Sequence, residues 1–232
     1  MRVKFGFRLV RYLPKATRED LAVSLVERIA TDAETRMVLE NIAWETYVAL
    51  ADQRRGSVPR LTFDCGVLEL MSPKREHENI ACLVGRIVET FSEVKNIDVI
   101  SLASVTVKRS DLSKAFEADE SYYIANAVRL LAKKELDFER DPPPDLVIEV
   151  ELTSSAIRKM DLFAAMQVPE IWRHDGETLQ MFQLVEGSYQ RMESSLQLPG
   201  LTSQRINGIL ALRDSVGETR LIQQFRKSVE ED

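Results

Sequence analysis

The run Asp145-Leu-Val-Ile-Glu149-Val-Glu151-Leu carries three carboxylates within one strand-like segment. Side chains alternate along a strand, so Asp145, Val147, Glu149 and Glu151 share one face, and Leu146, Ile148, Val150 and Leu152 the other. On a strand covered by helices on both faces, such carboxylates are expensive to bury unless a cation meets them. A cluster of oxygen donors without histidine favours Mg2+ or Mn2+. The alternative is an antiparallel edge strand with its acids in water.

Asp119, in Phe116-Glu117-Ala118-Asp119-Glu120-Ser121, stands at the mouth of a second β-rich run. An aspartate there serves as a turn residue or as a metal ligand, and Glu117 and Glu120 add local negative charge. Lys159 follows Glu151 by eight positions, early in a helical pattern. A helix packed back on the strand would bring its ammonium to the acidic face, whereas Arg158 is expected in solvent. His77 and Glu78 fall in the first turn of a long helical pattern, where an acid complements the helix dipole. His77 is one of only two histidines and is a candidate for acid/base work, a phosphate contact or a cap. His174, beside the Asp175-Gly176 turn, is expected to be exposed.

Thr17 and Asp20 ahead of Leu21, Leu25, Val26 and Ile29 predict a capped amphipathic helix, and Trp44, Tyr47, Val48 and Ala51 a second. The segment RLTFDCGVLELMS predicts a hairpin turning at Asp64-Cys65-Gly66. Ser72 as N-cap and Pro73 as first residue open a helix through Ile80, Leu83, Val84, Ile87, Val88 and Phe91, ended by Asn96. Asp98 to Lys108 and Ser121 to Ile124 are β-rich, and residues 125–139 read as a helix with Val128, Leu131 and Leu136 inward. Three prolines lead into LVIEVEL, the strongest strand signal. A helix from about Ser154 to Met166, strands EIWRH and TLQMFQL about a hairpin turn, and GSYQRM as a further strand come next. Helices over Ser203 to Leu212 and Glu218 to Val229 close the chain.

Composition narrows the function classes. The 232 residues hold 31 Lys and Arg against 37 Asp and Glu, a net charge of −6, so any nucleic acid must be met by a local patch or through a metal. Arg2, Lys4, Arg8, Arg11 and Lys15 are too dispersed for a dense basic cluster. Cys65 and Cys82 form no CxxC and are expected to be buried reduced thiols. No run approaches the length of a membrane span and no signal peptide is recognisable, which predicts a soluble cytoplasmic protein. GxGxxG, GxxxxGK[ST], GxSxG and HExxH are all absent.

The ordered segments GVLELMSPKREHENIACLVGRIVE, EADESYYI and PPPDLVIEVELTSSAIRKMDLFAAMQVPEIWR resemble the Uma family of bacterial restriction-endonuclease-like proteins, in the PD-(D/E)xK nuclease superfamily. The resemblance covers roughly residues 41–215. It implies an α/β fold of the restriction-endonuclease kind, a mixed central β-sheet flanked by helices. Residues 1–40 would then be an N-terminal helical extension and 216–232 a C-terminal helix packed on the 41–215 domain.

It also implies a site. Asp119 matches the motif aspartate, with Ala118 where proline usually stands, and Glu149 matches the acidic residue of the second half-motif. Glu151 occupies the usual place of the lysine, which is relocated to Lys159, and His77 matches the histidine before the long helix. Asp119 and Glu149 would hold Mg2+ or Mn2+ at a DNA phosphodiester, with Lys159 at the attacking water or the developing charge. Asp145, about 13 Å along the strand from Glu149, is too far to share one ion and is expected to be structural, while Glu151 is near enough to support the site. A homodimer would suit an enzyme that must cut two strands. The alternative is a non-catalytic binding or assembly module that keeps the nuclease fold.

Overall fold

The computed structural model of the protein describes residues 24–30 and 34–232. Two six-stranded sheets account for most of the regular structure. The first is antiparallel, in the order β1(Ser24–Ala30), β2(Glu34–Glu40), β4(Val67–Pro73), β3(Arg60–Asp64), β7(Lys114–Glu117), β6(Thr106–Arg109). The second is mixed, in the order β12(Ser188–Met192), β11(Leu179–Val185), β10(Glu170–His174), β9(Leu146–Val150), β8(Glu120–Tyr123), β5(Ile100–Ser101). Among the described residues only β9 and β10 run parallel, and β9 is antiparallel to β8.

Among the described residues there are six α-helices: α1(Trp44–Gln53), α2(Arg75–Lys95), α3(Ala127–Leu130), α4(Lys159–Ala165), α5(Ser203–Leu210) and α6(Glu218–Glu230). The second sheet is covered on both faces. Leu146, Ile148 and Val150 of β9 pack with Ile80, Val84 and Ile87 of α2 and with Ile206 and Leu221 of α5 and α6. Val147 on the opposite face packs with Leu162 and Phe163 of α4. Every residue of β9 is buried, so the edge-strand alternative is excluded and Glu149 lies on a covered face.

The hairpin at residues 60–72 forms as expected, with Cys65 and Gly66 both at positive φ in its two-residue turn. The strands read from LVIEVEL, EIWRH, TLQMFQL and GSYQRM are β9 to β12. Five expectations are corrected. The helix read over Thr17 to Ile29 is a strand where it is described: β1 pairs with β2, which pairs with β4. Seven residues with apolar positions at 25, 26 and 29 suit either period, and the ladder hydrogen bonds of a neighbouring strand decide. No N-terminal helical extension is therefore found among the described residues, and residues 1–23 lie outside them.

Ser72 and Pro73 do not open α2, because both are paired with β2 (Thr35↔Ser72, Glu34↔Pro73) and the helix starts at Arg75. Its far end is as expected, with Asn96 in the left-handed conformation. Residues 125–139 hold one helical turn, and Val128 and Leu131 are 75% and 76% exposed. Asp145 takes the Ile124 and Asn126 amides, and turns closed by Asp137 and Asp141 replace the helical ladder downstream. Both cysteines are exposed, Cys65 in the hairpin turn and Cys82 on the outer side of α2.

His174 is also the reverse of expectation: it is buried at the end of β10. Its Nδ1 accepts the Gly176 N–H at 3.1 Å, and its Nε2 has no partner among the described residues. Burial, aided by the charge of Arg213, lowers its pKa to about 4. The unfolded chain therefore binds a proton below about pH 6.5 that the folded chain refuses until about pH 4, so stability falls as pH drops through that window. We expect a loss of about 3 kcal/mol from this group between pH 7 and pH 4. Urea midpoints of wild type and His174→Asn across that range should show a visibly flatter profile in the variant.

Candidate active site

The chain passes from the first sheet to the second between β7 and β8, and Asp119 sits at that crossing. The β8–β9 register pairs Glu120 with Ile148, so one further step sets Asp119 opposite Glu149. The Asp119 carboxylate is held from several sides. Oδ2 accepts the Val150 N–H at 2.7 Å, and Oδ1 accepts from His77 Nε2 at 2.8 Å. Arg60 Nη1 lies 2.7 Å from Oδ1 but off the N–H direction, an ion-pair contact rather than a hydrogen bond. Burial pushes the carboxyl upward, but His77 and Arg60 outweigh it and hold Asp119 below the usual carboxylate range.

His77, buried in the first turn of α2, bridges two carboxylates: its other nitrogen, Nδ1, is 3.2 Å from Glu34 Oε2. Burial opposes its protonation, but hydrogen bonds to Asp119 and Glu34 raise its pKa to about 9. An imidazolium donating to two carboxylates is a fixed cation here, so the capping and surface readings of this histidine are set aside.

Glu149 lies on the α4 face of β9. Lys159, the first residue of α4, places Nζ 2.5 Å from Glu149 Oε2, while Glu149 Oε1 is buried without a partner among the described residues. Burial raises the Glu149 carboxyl above its usual range, and Lys159 pulls it back only in part. The lysine is lowered by burial but raised by a larger combined pull from Glu149 and Asp119, so it keeps its proton.

The structure thus brings all four candidate residues, Asp119, Glu149, Lys159 and His77, into one cluster. Its other members carried no signal in the apolar pattern. Glu34 and Arg36 alternate with Thr35 and Met37 along β2, and Arg36 Nε donates to Glu34 at 2.7 Å. Arg36 Nη1 reaches Glu69 of β4 at 2.5 Å. Glu34, Glu69, Asp119 and Glu149 are balanced by Arg36, Arg60, His77 and Lys159, all within the seam between the sheets. Buried charges of this density persist only when paired.

The flanking acids serve other purposes. Glu117 is bound by Arg54, by the Leu61 N–H and by Thr106. Asp145 accepts from Ile124 N, Asn126 N and Asn126 Nδ2, so its structural reading stands. Glu120 sits beside Glu89 with its carboxyl raised to about 7, chiefly by burial. Glu151 pairs with Arg173 at 2.5 Å, and Arg158 is 86% exposed.

A cleft of about 370 Å3 opens onto this cluster, with Glu149, Glu151, Ser155, Arg158, Lys159 and Arg173 among its walls. Among the described residues no three His, Cys, Asp or Glu side chains form a ready-made ion cage. Two carboxylates with one unpartnered oxygen nevertheless fit a hard divalent cation, which commonly takes one or two protein carboxylates and completes its shell with water and phosphate oxygen.

The Uma2 family model, described as "Putative restriction endonuclease", matches residues 44–210. The chain belongs to the Uma2 family. A solved structure is similar in fold: a protein from Anabaena variabilis, described as "a putative nuclease belonging to DUF820", superposes with a TM-score of 0.52 at 12% identity, over 72% of this chain and 98% of that one. At that identity the likeness speaks for the fold. No curated protein matches the chain. The Uma2 match begins at residue 44, so Glu34 and Arg36 come from the strand before it.

Proposed function

We propose that the protein is a metal-dependent endonuclease that hydrolyses DNA phosphodiester bonds, with Asp119 and Glu149 as metal ligands and Lys159 as the catalytic cation. The observation that carries this reading is the placement of two carboxylates opposite each other, Asp119 just ahead of β8 and Glu149 on β9, with a lysine paired to one of them at the wall of an open cleft. Uma2 membership supports it.

A bound Mg2+ or Mn2+ would supply Lewis acidity at phosphate and an acidified water. The chain's own groups have distinct tasks. His77, Arg60 and the Val150 N–H fix both oxygens of Asp119, so the carboxylate is orientated and ionised before any ligand arrives. Glu149 keeps Oε1 available and lends Oε2 to Lys159. Beside the two carboxylates, with no metal between them, Lys159 keeps its proton. Its ammonium is a preorganised positive charge for the negative charge that develops on phosphate oxygens. Arg158 and Arg173, at the cleft wall, are placed to meet the flanking backbone.

The experiment is nicking of supercoiled plasmid in Mn2+ by wild type and Lys159→Met. We expect the variant to be about a hundredfold slower, the scale of losing one preorganised charge, with Mn2+ affinity equal or tighter. Equal rates would remove Lys159 from the chemistry.

One observation favours the second reading, a non-catalytic binding module: the cluster's charges already balance within the protein. That reading predicts no saturable Mn2+ binding, and calorimetry of wild type against Glu149→Gln separates the two.

A further inference from the structure

Lys159 opens α4 five residues later than its sequence pattern suggests, because the preceding segment is tied to the other sheet. Glu69 Oε2 accepts the Ala156 N–H at 3.0 Å, and both its oxygens lie 3.0 Å from Ser155 Oγ. Arg36 Nε donates to Thr153 Oγ1 at 3.1 Å, and that hydroxyl donates to Glu34. Ile157 N–H closes on Ser155 Oγ at 3.1 Å. Glu69 and Arg36 are each 1% exposed and are joined by their own 2.5 Å ion pair. Three of the four residues 153–156, namely Thr153, Ser155 and Ala156, are thus held by buried charges from β2 and β4.

We infer that Glu69 and Arg36 are positioning residues that clamp residues 153–156 and thereby set Lys159 against Glu149. The inference deepens the nuclease reading, on which the importance of Lys159 rests. A loop with neutral caps would hold its own shape, but its place relative to β9 would be set only by β9 and α4. Charge-assisted bonds from a different sheet fix that place. Glu34 joins the same network to Asp119: its Oε1 takes Arg36 and its Oε2 takes His77, which holds Asp119 Oδ1. One buried relay therefore orientates both halves of the site, and its β2 members precede the segment that matches Uma2.

The test uses the full chain and two readouts that need no cleavage. Amide exchange over residues 152–158 reports the clamp, and the rate of reductive methylation of Lys159, read by mass spectrometry, reports the lysine's position. In Glu69→Ala both should rise at least tenfold, while exchange over β9 stays unchanged. Glu69→Gln, which keeps an oxygen for the Ala156 N–H, should restore most of the protection. The double variant Thr153→Val, Ser155→Ala leaves every buried charge paired, so it folds even where Glu69→Ala does not, and both rates should rise about threefold. Unchanged rates in the double variant and in any folded Glu69 variant would overturn the inference, as would faster exchange without faster methylation. A wild type that never cleaves DNA would sink the nuclease reading and leave the clamp standing.

Discussion

Asp119→Asn should reduce Mn2+-dependent plasmid nicking at least about a thousandfold, about 4 kcal/mol of transition-state stabilisation. Asparagine is close in shape and still offers an oxygen to the Val150 N–H, which Asp119 Oδ2 now accepts at 2.7 Å. What it removes is the charge. His77, held near pKa 9 by its carboxylate neighbours, and Arg60 would both face a neutral amide. Leaving buried cations less well paired costs stability, here about 2 kcal/mol, because Glu34 still serves His77 and Glu78 still lies 3.1 Å from Arg60. For a chain of this length that is a drop of about 4–8 °C in Tm. The variant should therefore be folded at 25 °C and inactive, and a melting curve run beside the nicking assay checks both parts. A variant that melts as expected and still nicks at the wild-type rate would take Asp119 out of the site.

Trp172→Ala should be the most damaging single change to the fold. Trp172 is fully buried on β10, the parallel partner of β9, and packs in the core shared by α2, α5 and α6. Truncating such an indole costs about 3–5 kcal/mol in lost burial and cavity formation. The ring also donates Nε1–H to Glu170 Oε1 at 2.5 Å. Glu170 is itself buried, with Oε2 taken by the amides of Leu196 and Gln197, so the truncation removes one of its two side-chain donors and leaves Ser195 as the other. We expect a Tm about 8–16 °C lower. Trp172→Phe should recover roughly half, since it refills the space without restoring the donor. Equal melting of the Ala and Phe variants would show that the hydrogen bond, not the volume, dominates.

The second sheet was legible in the sequence because its strands are bounded by strong punctuation. Three prolines precede β9, Asp175-Gly176 follows β10, and β9 and β10 are apolar enough to demand cover on both faces. Asp119, Glu149 and Lys159 were reachable for the same reason: a carboxylate on a covered strand is anomalous, and the family's motif order places the other two. Glu34, Arg36, Glu69 and Arg60 were not reachable. They sit on strands whose apolar alternation is unremarkable, and buried charges from distant segments show their partners only in three dimensions.

The misread elements fail through competition. Ser72 and Pro73 suit a helix start, but strand pairing with β2 claims them first. Val128 and Leu131 suit a helix, but Asp145 captures the backbone upstream of them. His174 was misjudged because a turn on one side says little about a core on the other.

Whether Asp119 and Glu149 form a metal-dependent nuclease centre is decided by one time course. Wild-type protein is incubated with supercoiled plasmid in Mn2+, and a parallel sample receives excess chelator. Nicked and then linear DNA are expected with Mn2+, and rates at least about a hundredfold lower once the metal is removed. Cleavage that persists undiminished in chelator, or none at all from protein shown to bind Mn2+ at Asp119 and Glu149, would contradict that assignment.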